Sequence, residues 1–508
     1  MPSSRRVERM SASSRRLVAL AALACALAVP AAARSQAPSL PADFVGMNAN
    51  VGDVVHSPTA RRIKVLGDIA AIRVQSVREP FSWAFVERKP NQFDFTYYDS
   101  LVAEAARHGL RVLPTLEDPP DWRSKRPADV PHRVEYPPKS NAEMASFAGV
   151  LAARYGPDGV LWKTNPKLPY LPILSWQIWN EPNIPVFWGY HPNAAEYTDL
   201  LTKVSGAIRQ AQPGAEIVTA GLTYASFGVT APVFLDDMYK AGARGTFDTL
   251  AVHPYSHDDR TVVALIGDAR TVLDQHGDHA KIWVTEFGWA TSDPHASSYG
   301  HSEKDQAKLI GDTVARLGSV REQLGLRGFD YFYWAESAPP PDPSDDDPLW
   351  NHVGLLSYGD RPKLGFFAFR DAVADLLDGR HPPAPGAFVK DPIRISGVSV
   401  APRRFAAAHW AQVATRRRPR RARGRRGGCE LRFRAGRTGM VLVSIERRRR
   451  GHTTRLGSAR LVAYAGRNRL LLSGAVHGHV LPAGPYRVRV RDAGGKGRSS
   501  SARFQILR

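Results

Sequence analysis

The chain has 508 residues, 43% of them hydrophobic, and a formal net charge of +21. That length supplies core for two folded domains, and only two cysteines, Cys25 and Cys429, exclude a disulfide framework or a thiolate metal site. Residues 391–508 hold 29 Lys and Arg against 4 acids, whereas 37–390 hold 34 against 43; the basic balance therefore does not describe the central region, and without a recognised motif it argues against nucleic acid as a partner.

Arg5, Arg6, Arg9, Arg15 and Arg16 precede an apolar run from Leu17 to Val29, and Ala31, Ala32 and Ala33 follow. This is the order of a secretory signal peptide over 1–36, so the mature chain is expected to be secreted, free or associated with the cell wall. The run is too short to span a bilayer comfortably.

From 37 to 385 strand-like and helix-like segments alternate. Short apolar runs predict strands at 44–47, 71–77, 111–116, 173–179, 216–220, 250–253, 281–285 and 329–334. Apolar residues at helical spacing predict helices at 59–71, 97–108, 142–155, 194–211, 234–241, 261–276, 303–324 and 366–377. Ser140 with Glu143 is a capping-box pattern opening the third of these. Eight strand–helix units predict an α/β fold, a (β/α)8 or TIM barrel. A doubly wound sheet is disfavoured, since no Gly-rich phosphate loop follows an early strand.

The Pro-rich stretch His381–Gly386 leads into a linker placed at 386–392. Runs at 393–400, 430–433, 440–446, 468–472 and 486–491, punctuated by Gly and Asn, then predict a small all-β domain over 393–508, a sandwich of immunoglobulin or fibronectin type. The arginine run from Arg416 to Arg426 is expected to form a basic loop between two of its strands.

Two glutamates stand out against this frame. The fourth predicted strand runs into Trp179-Asn180-Glu181-Pro182, and the seventh into Thr285-Glu286-Phe287-Gly288-Trp289. In a TIM barrel, groups just past strand ends share one mouth. A pair of carboxyl groups there is what hydrolysis of a glycosidic bond requires, one to protonate the leaving oxygen and one to meet the sugar carbon. A lone Glu in such a position is more often an ordinary surface or N-cap carboxylate; the pair in these two contexts is not.

With the motifs in place, residues ~40–385 resemble the clan A glycoside hydrolases, retaining enzymes of (β/α)8 fold, and are most similar to family 39, including its bacterial exopolysaccharide endoglycosidases, with family 5 as neighbour. The resemblance implies that Glu181 is the acid/base, that Glu286 is the nucleophile, and that Asn180 contacts a sugar hydroxyl. It further implies that Tyr255, in Val252-His253-Pro254-Tyr255, hydrogen-bonds the nucleophile. His253 is expected among the substrate-binding residues, with a purely orienting role as its alternative. Trp334 matches the aromatic that floors the cleaved subsite, and Arg78, with Arg73 as the other register, matches the Arg beside the nucleophile. Trp289 is expected to line a sugar subsite. The chain departs from family 5 at the end of the third strand, where Pro114-Thr-Leu-Glu-Asp118 replaces an expected His and leaves that contribution open.

The expected activity is a secreted, retaining β-glycoside hydrolase acting on a β-linked oligo- or polysaccharide. An inert carbohydrate-binding or cell-wall scaffold and a transglycosylase are the alternatives. No cofactor and no metal are expected, the acidic stretch 342–347 reading as a solvated loop rather than a calcium site. The expected partners are the carbohydrate substrate and, through the basic C-terminal domain, an anionic cell-wall polymer or exopolysaccharide. Neither nucleic acid nor a membrane span is expected.

Overall fold

The computed structural model describes residues 40–49, 59–130, 134–225, 227–291, 300–337, 349–380, 393–406, 429–436, 439–449, 452–463, 466–472, 475–476, 479–492 and 499–507. The signal segment, the linker, the acidic stretch 342–347 and the arginine run of 416–426 lie outside the described residues.

Eight parallel strands form the barrel: β1 (Val45–Asn48), β2 (Ser76–Ser82), β3 (Arg111–Glu117), β4 (Ser175–Ile178), β5 (Glu216–Val218, continued by Leu222–Thr223), β6 (Thr249–His253), β7 (Lys281–Val284) and β8 (Leu326–Phe332). β1 pairs with both β2 and β8, and β6 returns to β5 through Val218↔Thr249 and Leu222↔Val252, which closes the ring. Buried on both faces, the strands carry many apolar residues, as a parallel sheet covered by helices demands, with buried polar groups such as Arg78, Gln177 and His253 set among them.

The outer helices are α1 (Thr59–Ala71), α2 (Thr96–Arg107), α3 (Asn141–Tyr155), α4 (Ala194–Ala211), α5 (Ala231–Lys240), α6 (Asp259–Gln275), α7 (Glu303–Leu324) and α8 (Leu364–Leu377). α4 shows why they form. Asn193 caps it by accepting from the backbone N–H groups of Ala195 and Glu196. Tyr197, Leu200, Leu201, Val204 and Ile208 repeat at helical spacing and are buried. Each such side chain contributes on the order of 2 kcal/mol by leaving water. At α3 the Ser140 hydroxyl accepts from the Glu143 N–H, the first half of the expected box, but the Glu143 carboxylate turns to Arg123 instead.

The expected second strand is displaced. Residues 71–77 read as an apolar run, yet Ala71 ends α1 and Arg73 turns with φ +65, so β2 begins only at Ser76. The run is apolar because the helix end and the strand start are both buried, which periodicity over seven residues cannot resolve. The shift carries Arg73 to the exposed base of the barrel, where it pairs with Asp378, and leaves Arg78 inside the barrel.

C-terminal to the barrel, two sheets share one core. β9 (Ile395–Ala401), β11 (Cys429–Ala435) and β14 (Gly466–Leu472) form the smaller, in the order β9-β11-β14. β10 (Arg404–Ala406), β12 (Gly439–Arg449), β13 (His452–Ala463), β15 (Gly484–Asp492) and β16 (Ser500–Leu507) form the larger, in the order β10-β16-β15-β12-β13. Leu431 and Phe433 from one sheet and Val441, Val488 and Phe504 from the other meet in that core. β10, β13 and β16 were not expected, because their sequences are broken by polar and basic residues. Cys429 is buried at the start of β11, where burial pushes its thiol up to about 12 and leaves it inert.

Within the barrel, Asp330 of β8 is fully buried beside the Trp283 indole, and among the described residues neither carboxyl oxygen has a well-formed hydrogen bond. Its carboxyl lies against Gly46, where any Cβ would sit 1.9 Å from Asp330 Oδ1. Burial raises this group to about 8 from an ordinary 3.8. The folded chain therefore keeps a proton that the unfolded chain releases, and stability falls as pH rises through that window. Thermal unfolding of Asp330→Asn should lose this decline between about pH 4 and 8, while the parent keeps it; parallel curves would show Asp330 to be ionised in the fold.

Candidate active site

The mouth of the barrel is organised around Arg78, the third residue of β2. Its Nε donates to Gln177 Oε1 at 2.6 Å, and Nη1 donates to Asn48 Oδ1 and to Glu286 Oε1, each at 2.7 Å. Nη2 donates to Asn180 Oδ1 at 2.8 Å. Gln177 also accepts from Thr115 and donates to the Thr219 carbonyl, and Asn48 donates to the Thr285 carbonyl at 2.9 Å. The guanidinium is thereby tied to β1, β4 and the end of β7.

Glu286 follows β7 and is 7% exposed. One oxygen takes the Arg78 donor and the other takes the Tyr255 hydroxyl at 2.8 Å. These donors fix the orientation of its carboxyl group. The phenol of Tyr255 is pushed well up by burial and then by the Glu286 charge, so it stays a donor.

Glu181 reaches the mouth by a different device. Trp179 and Glu181 both have positive φ, +72 and +42, a conformation that bulky residues seldom hold. The surroundings hold it: the Trp179 N–H donates to the Leu116 carbonyl, its indole donates to the Phe187 carbonyl at 2.8 Å, and the Glu181 N–H donates to the Gly221 carbonyl. Glu181 is 8% exposed, and burial pushes its carboxyl up to about 8 against the pull of Arg78. One oxygen lies 2.7 Å from His253 Nδ1, whose ring is fully buried and whose Nε2 is 3.0 Å from Thr285 Oγ1. Burial depresses His253 to about 3, so the imidazole is neutral at ordinary pH. It fits only because residue 221 is glycine, since a Cβ there would meet His253 Nε2 at 1.9 Å.

A carboxylate oxygen from each glutamate and a nitrogen of His253 lie within 4.8 Å of one another. A divalent cation could accept such a set, but both Glu286 oxygens already take donors and a cation would compete with the Arg78 charge. What the arrangement can do unaided is deliver a nucleophilic carboxylate and a proton to one bond lying between them.

Six of the eight expected site residues converge here: Glu181, Glu286, Arg78, Asn180, His253 and Tyr255. Trp289 and Trp334 are placed differently. The Trp289 indole donates to the Ser256 carbonyl at 2.9 Å and the residue is 3% exposed, bracing the loops after β6 and β7. Trp334 is 2% exposed, with its ring edge-on to Phe366 of α8. The aromatic ring beside Tyr255 is that of Phe332, at 6.3 Å between centroids.

Sequence reasoning passed over Asn48, Gln177 and Thr285, which hold Arg78 and His253. It also passed over a set of acids at the end of β3. Glu117 is half-buried, makes no hydrogen bond among the described residues, and is pushed by burial up to about 8, with Asp118 and Glu286 adding to the effect and Arg78 opposing it. Glu135 has a buried, unpartnered Oε2, and burial, then Glu117, Asp118 and Glu181, raise its carboxyl well above the usual range. The acidic run at 117–118 was the available signal for the first; Glu135 arrives from a distant loop.

Residues 177–325 match the family model described as the glycosyl hydrolase catalytic core. The structure is similar to an exo-β-1,4-mannosidase from Opitutaceae bacterium strain TAV5, at 17% identity and a TM-score of 0.47, over 66% of this chain and 60% of that one. It is similar to the family 39 enzyme of Xanthomonas axonopodis pv. citri, at 13% identity and 0.48, over 85% and 92%. A family 39 β-xylosidase from Caulobacter crescentus is similar at 16% identity and 0.47, over 81% and 84%. No curated protein sequence matches the chain.

Removing Arg78 tests the frame. Arg78→Met leaves Glu286 buried without its counter-charge and should cost about 3–5 kcal/mol of stability in denaturant unfolding at pH 7. Arg78→Lys keeps the charge but not the fork, and should recover only part of it. A Met variant as stable as the parent would mean that the pair is not what orders the mouth.

Proposed function

We propose that this chain, a clan A glycoside hydrolase, cleaves a β-linked oligo- or polysaccharide by double displacement with retention, Glu286 serving as nucleophile and Glu181 as acid/base. The observation that carries the reading is the placement of the two carboxyl groups, with oxygens within 4.8 Å and in opposite environments. That separation suits direct attack, for which the groups stand about 5–5.5 Å apart, rather than the 6.5–9.5 Å that leaves room for an attacking water.

In the first step a Glu286 oxygen bonds to the anomeric carbon as the glycosidic C–O bond breaks, and Glu181 passes its proton to the departing oxygen. In the second, Glu181, now a carboxylate, takes a proton from water; the water oxygen bonds to the anomeric carbon and the ester to Glu286 breaks. The environments suit the roles. Arg78 and Tyr255 hold the nucleophile aimed, while burial keeps the proton on Glu181. The neutral His253 orients Glu181 without competing for that proton. Asn180, fixed by Arg78, is positioned for a sugar hydroxyl, and Phe332 offers an apolar face beside Tyr255. Among the described residues of this network the one guanidinium, Arg78, is committed to Glu286, which leaves it no free cation to pair with a uronic acid and favours neutral sugars. Residues 1–36 are read as a secretory signal, which places the enzyme outside the cell, and the basic C-terminal region as its contact with an anionic cell-wall polymer or exopolysaccharide.

Glu286→Gln should abolish turnover on every β-glycoside. Glu181→Gln should lower it by about 10²–10⁴ on poor leaving groups and far less on activated aryl glycosides, which need no proton. NMR of the first-formed product should show the β anomer. For the parent, kcat/KM on an unactivated substrate should fall as pH rises past about 8, because Glu181 then loses the proton it must donate, and Glu181→Gln should lack that limb. An α product, or turnover untouched by either change, would overturn the assignment.

A further inference from the structure

The outward face of the smaller C-terminal sheet carries a charge pattern that the glycosidase reading does not use. In β11 the side chains alternate, with Leu431 and Phe433 buried in the core and Arg432 and Arg434 exposed. β14 runs antiparallel beside it, and the register sets Arg432 directly opposite Arg469 and Arg434 directly opposite Arg467. Arg467 and Arg469 are also exposed, so all four guanidinium groups leave one face of the sheet. Like charges directly opposite one another destabilise a pair of strands. Neighbouring strands are about 4.8 Å apart and alternate residues about 6.7 Å apart, so the four groups spring from one small patch. β9, the third strand, sets only Ser399 and Ser396 opposite Arg432 and Arg434, and these cover nothing.

One acid stands in this face. The Glu430 carboxylate pairs with Arg432 and lies 3.8 Å from Arg469 Nε, bridging the first opposed pair. The second pair, Arg434 and Arg467, has no carboxylate partner among the described residues. The face thus shows what a carboxylate does between two of its arginines and repeats the arrangement one row along with the carboxylate missing. Helices α5 and α6 lie against β12 and β13 of the other sheet, so the barrel leaves this face to solvent. Among the described residues no large exposed hydrophobic side chain belongs to the C-terminal domain, and the stacking platform that single-stranded nucleic acid uses is not on this surface.

We propose that this four-arginine face docks a carboxylate-bearing polysaccharide, a polyuronate, whose acid groups take up the Arg434–Arg467 row as Glu430 takes up the Arg432–Arg469 row. Arginine suits the task because its planar fork meets a carboxylate with two parallel hydrogen bonds, which a lysine ammonium cannot. The choice of a glycan as carrier of the carboxylates rests on the glycosidase reading. Binding is measured without turnover, so failure of the activity assay and failure of docking are separate results.

The test is affinity electrophoresis of the full chain through gels containing polygalacturonate, neutral galactomannan or polyphosphate, at low and high salt. The parent should be retarded by polygalacturonate, and that retardation should weaken at least tenfold in high salt, whereas retardation by galactomannan, a neutral β-linked chain open to the catalytic mouth, should depend neither on salt nor on the four arginines. A variant with Arg432, Arg434, Arg467 and Arg469 all changed to Gln should bind polygalacturonate at least tenfold more weakly. Its thermal midpoint should be no lower than the parent's, since like charges have been separated. A charge-matched control with Arg61, Arg107, Arg361 and Arg370 of the barrel changed to Gln should lose less than twofold, which separates the face from net charge. Equal losses in the two variants, unchanged binding in the first, or polyphosphate retarding the parent more strongly than polygalacturonate would each overturn the proposal.

Discussion

The ion pair between Arg78 and Glu286 is the interaction on which the rest of the mouth depends. Two opposite charges under a tenth exposed would cost more in lost hydration than they recover, were they alone. They are not alone: Asn48, Gln177 and Asn180 accept from three more of the five guanidinium N–H groups, and Tyr255 donates to the second carboxylate oxygen. A buried charge network of this kind is tolerable only when every member is satisfied. The requirement reaches into β1, β2, β4 and β7 at once, so the barrel cannot shift one strand without breaking it.

Glu181 is governed by the opposite principle. Among the described residues no cation contacts its carboxyl; a neutral imidazole does, and burial favours the protonated form. Two carboxyl groups a few ångströms apart are thus given different hydrogen-bonding surroundings. Backbone conformation assists, since the positive φ values at Trp179 and Glu181 turn the chain over at the end of β4 and are held there by hydrogen bonds to β3, β5 and the following loop. Burial likewise favours the protonated forms of Glu117 and Glu135 at the mouth, while the basic residues gather on the C-terminal sheets. One chain therefore carries a mouth of buried acids and a separate basic surface.

The alternation of strands and helices was legible in the sequence because each unit repeats the same burial problem: a two-sided apolar strand and a one-sided helix. Helices α1, α4 and α7 match the expected spans end to end, since caps and polar faces mark their limits. β2 did not, because the buried end of α1 and the buried start of the strand merge into one apolar run. In the C-terminal domain, β13 and β16 escaped notice because a strand with a charged outer face dilutes its own signal with arginine.

For the site, local sequence placed Glu181 and Glu286 at strand ends and the barrel reading placed them at one mouth, while Arg78, His253 and Tyr255 came with the family resemblance. The identity of the residues that hold them was left to the tertiary structure. Asn48 and Gln177 lie on separate strands outside the Glu181 and Glu286 motifs, and Thr285 follows β7 directly before Glu286, so nothing but the closure of the sheet brings them to Arg78 and His253. The tertiary structure likewise set Phe332, rather than Trp334, beside Tyr255, because the path of the chain past the end of β8 decides which ring faces the mouth. It also decided the protonation of Glu181, since desolvation is a property of the packed surroundings and not of the residues next to it in the chain.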